Sequence, residues 1–232
     1  MGKLSYLMDE ISAGMEVYYS GKNGGQYLKT VYILCDNYVE LVTKLYLVEK
    51  ITGWTDKKTN GSFKNFHDIL KDLEKSLKGH RAPDVLMRVQ AIQQNMGDRR
   101  KRRNDFFHST HLLDLNVTQR VCVEAFCELM EYGRVLFLQD WNAGVQSRCR
   151  METLVTLFQL ELRSFSDATV WPKINSVLKD WPRRSPDKKT ISKKGTQYAE
   201  HPEDLHLRLC LDWGGQVLRD KLKQMLIANP SY

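Results

Sequence analysis

The sequence predicts an all-α fold, a bundle of amphipathic helices, and two observations carry that reading. Apolar residues recur at i, i+3 and i+4 through five successive windows of the N-terminal half. Glycine, proline or a capping side chain stands at the ends of those windows, with short connections between them.

The first window, Leu4 to Tyr19, places Leu4, Leu7, Met8, Ile11, Met15 and Tyr18 or Tyr19 on one helical face; Gly21 and the Gly24-Gly25 pair end it. A second helix runs from about Gln26 to Thr52 on Val31, Leu34, Cys35, Tyr38, Leu41, Val42 and Leu45, with a polar row of Asp36, Glu40 and Lys44 beside them. The polar stretch Asp56 to Gly61 is a loop. Ser62 then caps a third helix with the stripe Phe63, Phe66, Leu70, Leu73 and Leu77, stopped by Gly79. Pro83 suits the first turn of a fourth, which has Val85, Val89, Ile92 and Met96 on one side. Gly97 is a kink point there, and the pattern continues through His108. Asn116 and Gln119 form a capping-box pair opening a fifth helix, with Val121, Ala125, Leu129, Tyr132 and Leu136 inside.

Beyond Trp141 the pattern loosens. Helices are expected at Met151 to Phe165 and Val170 to Trp181. The basic stretch 182–194, with two prolines, reads as an exposed loop. Leu205, Leu207, Leu209, Leu211 and Trp213 alternate with polar neighbours, the period of a half-buried strand. Gly214-Gly215 precedes a last helix, Gln216 to Ala228. A boundary near 142 divides the bundle, 1–142, from a mostly helical accessory region, 143–232.

The chain has 232 residues, 42% hydrophobic and 27% charged, the composition of an ordinary globular protein. No apolar run approaches the roughly 20 residues that span a bilayer, and Met1 to Tyr6 lacks the apolar stretch of a signal peptide. A cytoplasmic protein with no membrane partner is the expectation. Five scattered cysteines without a C-x-x-C pair argue against a zinc site or a disulfide framework, and no metal or cofactor is expected. Cys35, Cys122 and Cys127 read as small core residues. The net charge of +7 favours polyanionic partners through steering and counterion release.

Placement of the charge is more informative than its total. Arg99, Arg100, Lys101, Arg102 and Arg103 run directly into Asn104, His108 and, further on, His111. On a helix turning about 100° per residue, Asn104 and His108 differ by only about 40°, and His111 falls between them. Arg103 is about 100° from Asn104, near the apolar stripe, with a fork long enough to swing onto the polar row. An imidazole near its ordinary pKa of about 6.5 can take a proton from an RNA 2′-hydroxyl or give one to the leaving 5′-oxygen. A guanidinium can neutralise charge growing on the phosphate, and an amide can orient it. One histidine does not readily serve as both acid and base, so two copies facing each other across a two-fold axis would complete the set.

The string Arg103-Asn104-Asp105-Phe106-Phe107-His108 resembles the Arg-polar-x-x-x-His signature of the HEPN superfamily, common in bacterial toxin–antitoxin and antiphage systems. The long second helix with Tyr32, Cys35 and Glu40, the Phe-led third helix and the position of the motif before the next helix are similar too, so the resemblance covers roughly residues 1 to 140. It implies a HEPN-like helical bundle, a homodimer and metal-independent endoribonuclease activity, with Arg103 and His108 catalytic and Asn104 in the polar position. From the residues themselves, His111, Asp36 and Glu40 are candidate supporting groups, with a surface row as the other reading of the two carboxylates, and Arg99, Arg100, Lys101 and Arg102 are candidate RNA-binding residues, with a solvated basic face as the other reading. An antitoxin or defence-complex protein is a further expected partner. The subgroup modified by a nucleotidyltransferase has a tyrosine two residues after the histidine, where this chain has Thr110. Two other readings compete: a catalytically inactive HEPN module that binds RNA, nucleotide or protein, and a DNA-binding unit built on 143–232.

Overall fold

Leu7, Met8, Ile11, Met15, Tyr18 and Tyr19 fall on one side of a helix, and in the computed structural model all six are buried. They lie on α1 (Lys3–Gly21) and meet α2 (Gly25–Lys50). Then follow α3 (Phe66–His80), α4 (Pro83–His108), α5 (Gln119–Phe137), α6 (Gln139–Gln146), α7 (Cys149–Ser164) and α8 (Val170–Asp180). Residues 216–227 form a further helix, α9. The structure describes residues 2–21, 25–80, 83–108, 117–180 and 216–228, without the side chains of 20–21, 25–26, 80, 105–108 and 178–180. No strand occurs among the described residues; the nearest thing is one antiparallel bridge between Lys57 and Phe63. The fold is all-α, as expected.

The centre of the bundle is aromatic. Phe158 of α7 lies with its ring 5.1 Å from Tyr18 of α1 and 5.3 Å from Phe126 of α5, so three helices converge on one side chain. Such offset and tilted pairs add to the area each ring buries. Two polar devices sit in this core. The Tyr18 hydroxyl donates to Glu161 Oε1 at 2.6 Å, and Thr43 bonds the Tyr132 hydroxyl at 2.9 Å. Burial, reinforced by the Glu161 carboxylate, holds the Tyr18 and Tyr19 phenols well above their usual range, so both stay protonated.

Several boundaries differ from expectation. Ser62 and Phe63 stand outside α3; Asn65 caps it, accepting from the Asp68 amide at 2.8 Å, and Phe63 is 67% exposed. Thr118, not Asn116, caps α5 through a bond from the Val121 amide at 3.3 Å; Asn116 lies outside the described residues. Leu41 is exposed, because α2 turns its other sides to its neighbours. The short α6 was not foreseen: Leu138 takes φ 53°, which separates α5 from α6. Gly133 then faces Trp141 so closely that a Cβ there would meet the indole at 2.3 Å.

The boundary expected near 142 does not divide the core. Met151, Leu154, Leu157 and Phe158 belong to the same buried cluster as Met8, Ile11 and Phe126, and Leu218 and Leu222 of α9 join it. The buried Glu152 accepts from Arg219 at 2.8 Å and also from Lys223. The expected loop at 182–194 and the strand at 205–213 lie outside the described residues.

Candidate functional site

The motif sits on the last turns of α4, and α4 reaches the bundle through charge. Three of its arginines face inward. Arg103 Nη1 donates to Asp36 Oδ2 at 2.8 Å, Arg100 Nη2 to Glu40 Oε2 at 2.5 Å, and Arg99 pairs with Glu128 of α5 at 2.7 Å. Asp36 and Glu40 are one turn apart on α2, and Arg100 and Arg103 are three residues apart on α4, so two rows of opposite charge close on each other. The polar row of α2 thus lies against α4, and Asp36 is buried within that contact. The Arg100 guanidinium also lies 4.0 Å from the centre of the Phe66 ring. Lys44 continues the row, bridging Glu40 at 3.0 Å and Asp56 at 3.2 Å. The Tyr32 hydroxyl donates to the Arg99 carbonyl at 3.3 Å.

Electrostatics differ between the two carboxylates. Burial pushes Asp36 above the usual aspartate value, and the Arg100 and Arg103 guanidiniums only partly offset it. Glu40 also feels burial, but hydrogen bonds from Arg100 and Lys44 bring it below the usual range.

Against expectation, Arg99 and Arg100 are turned into the bundle: their side chains are only 18% and 21% exposed. The cause is the carboxylates waiting on α2 and α5. Lys101, Arg102 and Asn104 face solvent. Arg103 is turned inward to the same degree as Arg100, with 21% of its side chain exposed. α4 stays helical through His108, so backbone positions 104 and 108 are one turn apart. The His108 side chain and the whole of His111 lie outside the described residues. Glu128 and Phe66 were missed as members of the cluster, and Lys44 was placed in the polar row with Asp36 and Glu40 but not at the site. For Lys44 the i, i+4 step from Glu40 was a signal; for the other two nothing local was.

Elsewhere, a cavity of about 350 Å³ opens beside Trp141, Glu152 and Phe158, and none of the expected site residues lines it. Burial holds the Cys122 and Cys127 thiols up at about 12, so neither is a thiolate at neutral pH. Among the described residues no group of three His, Cys, Asp or Glu side chains is placed to hold a metal ion. No described helix is long and apolar enough to cross a membrane. In comparisons with protein-family models, curated proteins and solved structures, nothing matches this chain.

Proposed function

We propose that this chain is a metal-independent endoribonuclease of HEPN type, acting as a homodimer in toxin–antitoxin or antiphage defence. The observation that supports it best is the docking of Arg103 on the buried Asp36. A guanidinium held by a charge-assisted hydrogen bond loses little freedom when a phosphate arrives, and preorganised charge is what a phosphoryl transition state rewards. Its neighbours Lys101, Arg102 and Asn104 face solvent, where an RNA strand would pass.

In the reaction, the 2′-oxygen attacks the adjacent phosphorus and the bond to the 5′-oxygen breaks, leaving a 2′,3′-cyclic phosphate and a 5′-hydroxyl. His108 accepts the 2′-hydroxyl proton, and the partner subunit's His108 protonates the leaving oxygen. Arg103 stabilises the charge on the non-bridging oxygens, and Asn104 orients the phosphate. DNA, lacking the 2′-hydroxyl, is not cut.

The test is cleavage of labelled RNA in chelator, with sequencing of the ends. Wild type should yield cyclic phosphate ends. Arg103→Ala and His108→Ala should each lose at least about a hundredfold in rate with an unchanged helical spectrum. Full activity in His108→Ala would overturn the reading. The engagement of Arg103 by Asp36 favours one second reading, a module that binds RNA without cutting it. Salt-sensitive binding with intact RNA in the same assay identifies that case.

A further inference from the structure

The segment between α2 and α3 is a rigid turn built from its own hydrogen bonds. The Lys58 amide donates to the Ser62 carbonyl at 2.7 Å, the Gly61 amide to the Lys58 carbonyl at 2.9 Å, and the Lys64 amide to the Asp56 carbonyl at 2.7 Å. Gly61 takes φ 82°, a conformation that a side chain would strain. Ion pairs fasten the turn to its surroundings: Asp56 to Lys44 of α2 at 3.2 Å, and Lys58 and Lys64 to Asp68 and Asp72 of α3 at 2.8 Å each. Trp54 adds an indole bond to Asp72 at 2.9 Å.

On this fixed turn Phe63 is 67% exposed. A lone exposed apolar residue needs no explanation, but the setting here is specific. The Lys57 ammonium lies 5.7 Å from the centre of the Phe63 ring, and Lys57 has no carboxylate partner among the described residues. Three positions further on, Phe66 carries Arg100 over its own ring. That contact is a shielded one, since Arg100 is also paired with Glu40, whereas the Phe63 and Lys57 pair stands open to solvent. Exposed Lys71 and Lys75 of α3 lie near Asp68 and Asp72, the carboxylates that hold Lys58 and Lys64. A rigid aromatic face beside an ammonium that lacks an anion is the pairing that single-stranded nucleic acid requires: the ring stacks a base and the cation meets the backbone phosphate. A duplex keeps its bases stacked inside and cannot use the ring.

We propose that Phe63 and Lys57 form a subsite for one unpaired nucleotide of an RNA strand, the base on the open face of Phe63 and a phosphate at the Lys57 ammonium. The inference rests on the ribonuclease reading and makes its substrate single-stranded.

The experiment is fluorescence anisotropy of the full chain with a labelled, uncleavable 2′-O-methyl 12-mer, single-stranded and as a duplex, alongside cleavage of the matching RNA. Phe63→Ala should weaken the single strand about tenfold and leave the duplex unchanged. Phe63→Leu should lose as much as Phe63→Ala, and Phe63→Trp should retain wild-type affinity. Lys57→Gln should weaken the single strand and lower the slope of log affinity against log salt by about 0.7. A wild type that binds and cuts RNA while Phe63→Ala and Phe63→Trp match it overturns the subsite alone. Equal losses on single strand and duplex overturn it as well. A wild type that neither binds nor cuts RNA removes both the subsite and the ribonuclease reading.

Discussion

Helices α2 and α4 are equally long, 26 residues each, and different forces hold them in the bundle. α2 buries Val31, Tyr32, Cys35, Tyr38, Val42 and Tyr46, among others, against neighbours on more than one side. Among the described side chains of α4, only Val89 and Met96 are buried apolar residues. Beside these and the partly buried Val85, Leu86 and Ile92, a series of ion pairs attaches α4, from Arg88 with Glu131 through Arg99 with Glu128 to Arg100 with Glu40 and Arg103 with Asp36. Apolar contact responds weakly to pH and salt, whereas charge contact responds to both. The contrast teaches that a helix with little buried apolar surface can still be fixed in a bundle by charge. Towards its C-terminal end α4 is held by carboxylates supplied by α2 and α5.

The largest effect should come from the apolar side. Phe158→Ala removes the ring on which α1, α5 and α7 converge and should cost about 3–5 kcal/mol, read from the urea midpoint. Protection should fall throughout α1, α2, α5 and α7 together; a loss confined to residues beyond 142 would show a divisible core.

Asp36→Asn should act more locally. Burial outweighs the arginine pairing at Asp36, so losing the charge should change global stability little while it removes the anchor of Arg103. Amide exchange should quicken near the C-terminal end of α4 and stay slow from Val31 to Tyr46; under the proposed ribonuclease function, RNA cleavage should fall as Arg103 loses its anchor. Equal loosening of α2 would erase the distinction between the two helices.

Acid should produce the smallest change. Glu40 sits below its ordinary value in the folded chain, so its contribution is complete above an unfolded pKa of about 4.3 and is lost as pH falls through the folded value. Asp36 has the opposite sign: its raised pKa makes the folded chain hold the proton longer, so its contribution declines as pH rises from about 3.9 through the raised value. Going from pH 6 to about pH 3.5, intrinsic rates corrected, exchange near Arg100 should accelerate while α1 and α7 keep their protection. An α4 that stays as protected as α7 would mean that charge is not what holds it.

Periodicity alone determined the helical class and the inward faces of α1 and α5, and of α2 except at Leu41 and Asp36, because a 3.6-residue repeat of Met8, Ile11 and Met15 can bury itself only as a helix. It also placed Asn104 and His108 one turn apart, since that relation is internal to a single helix. Tertiary structure decided the rest. Whether Asp36 is a surface acid or a buried anchor depends on which helix lies across it. Arg99 and Arg100 turned inward because Glu128 and Glu40 come from elements distant in sequence. The single core across residue 142 follows from Phe158 meeting Tyr18 and Phe126. A chain's local pattern states what each side chain can bury or pair with, and only the packed fold supplies the partner.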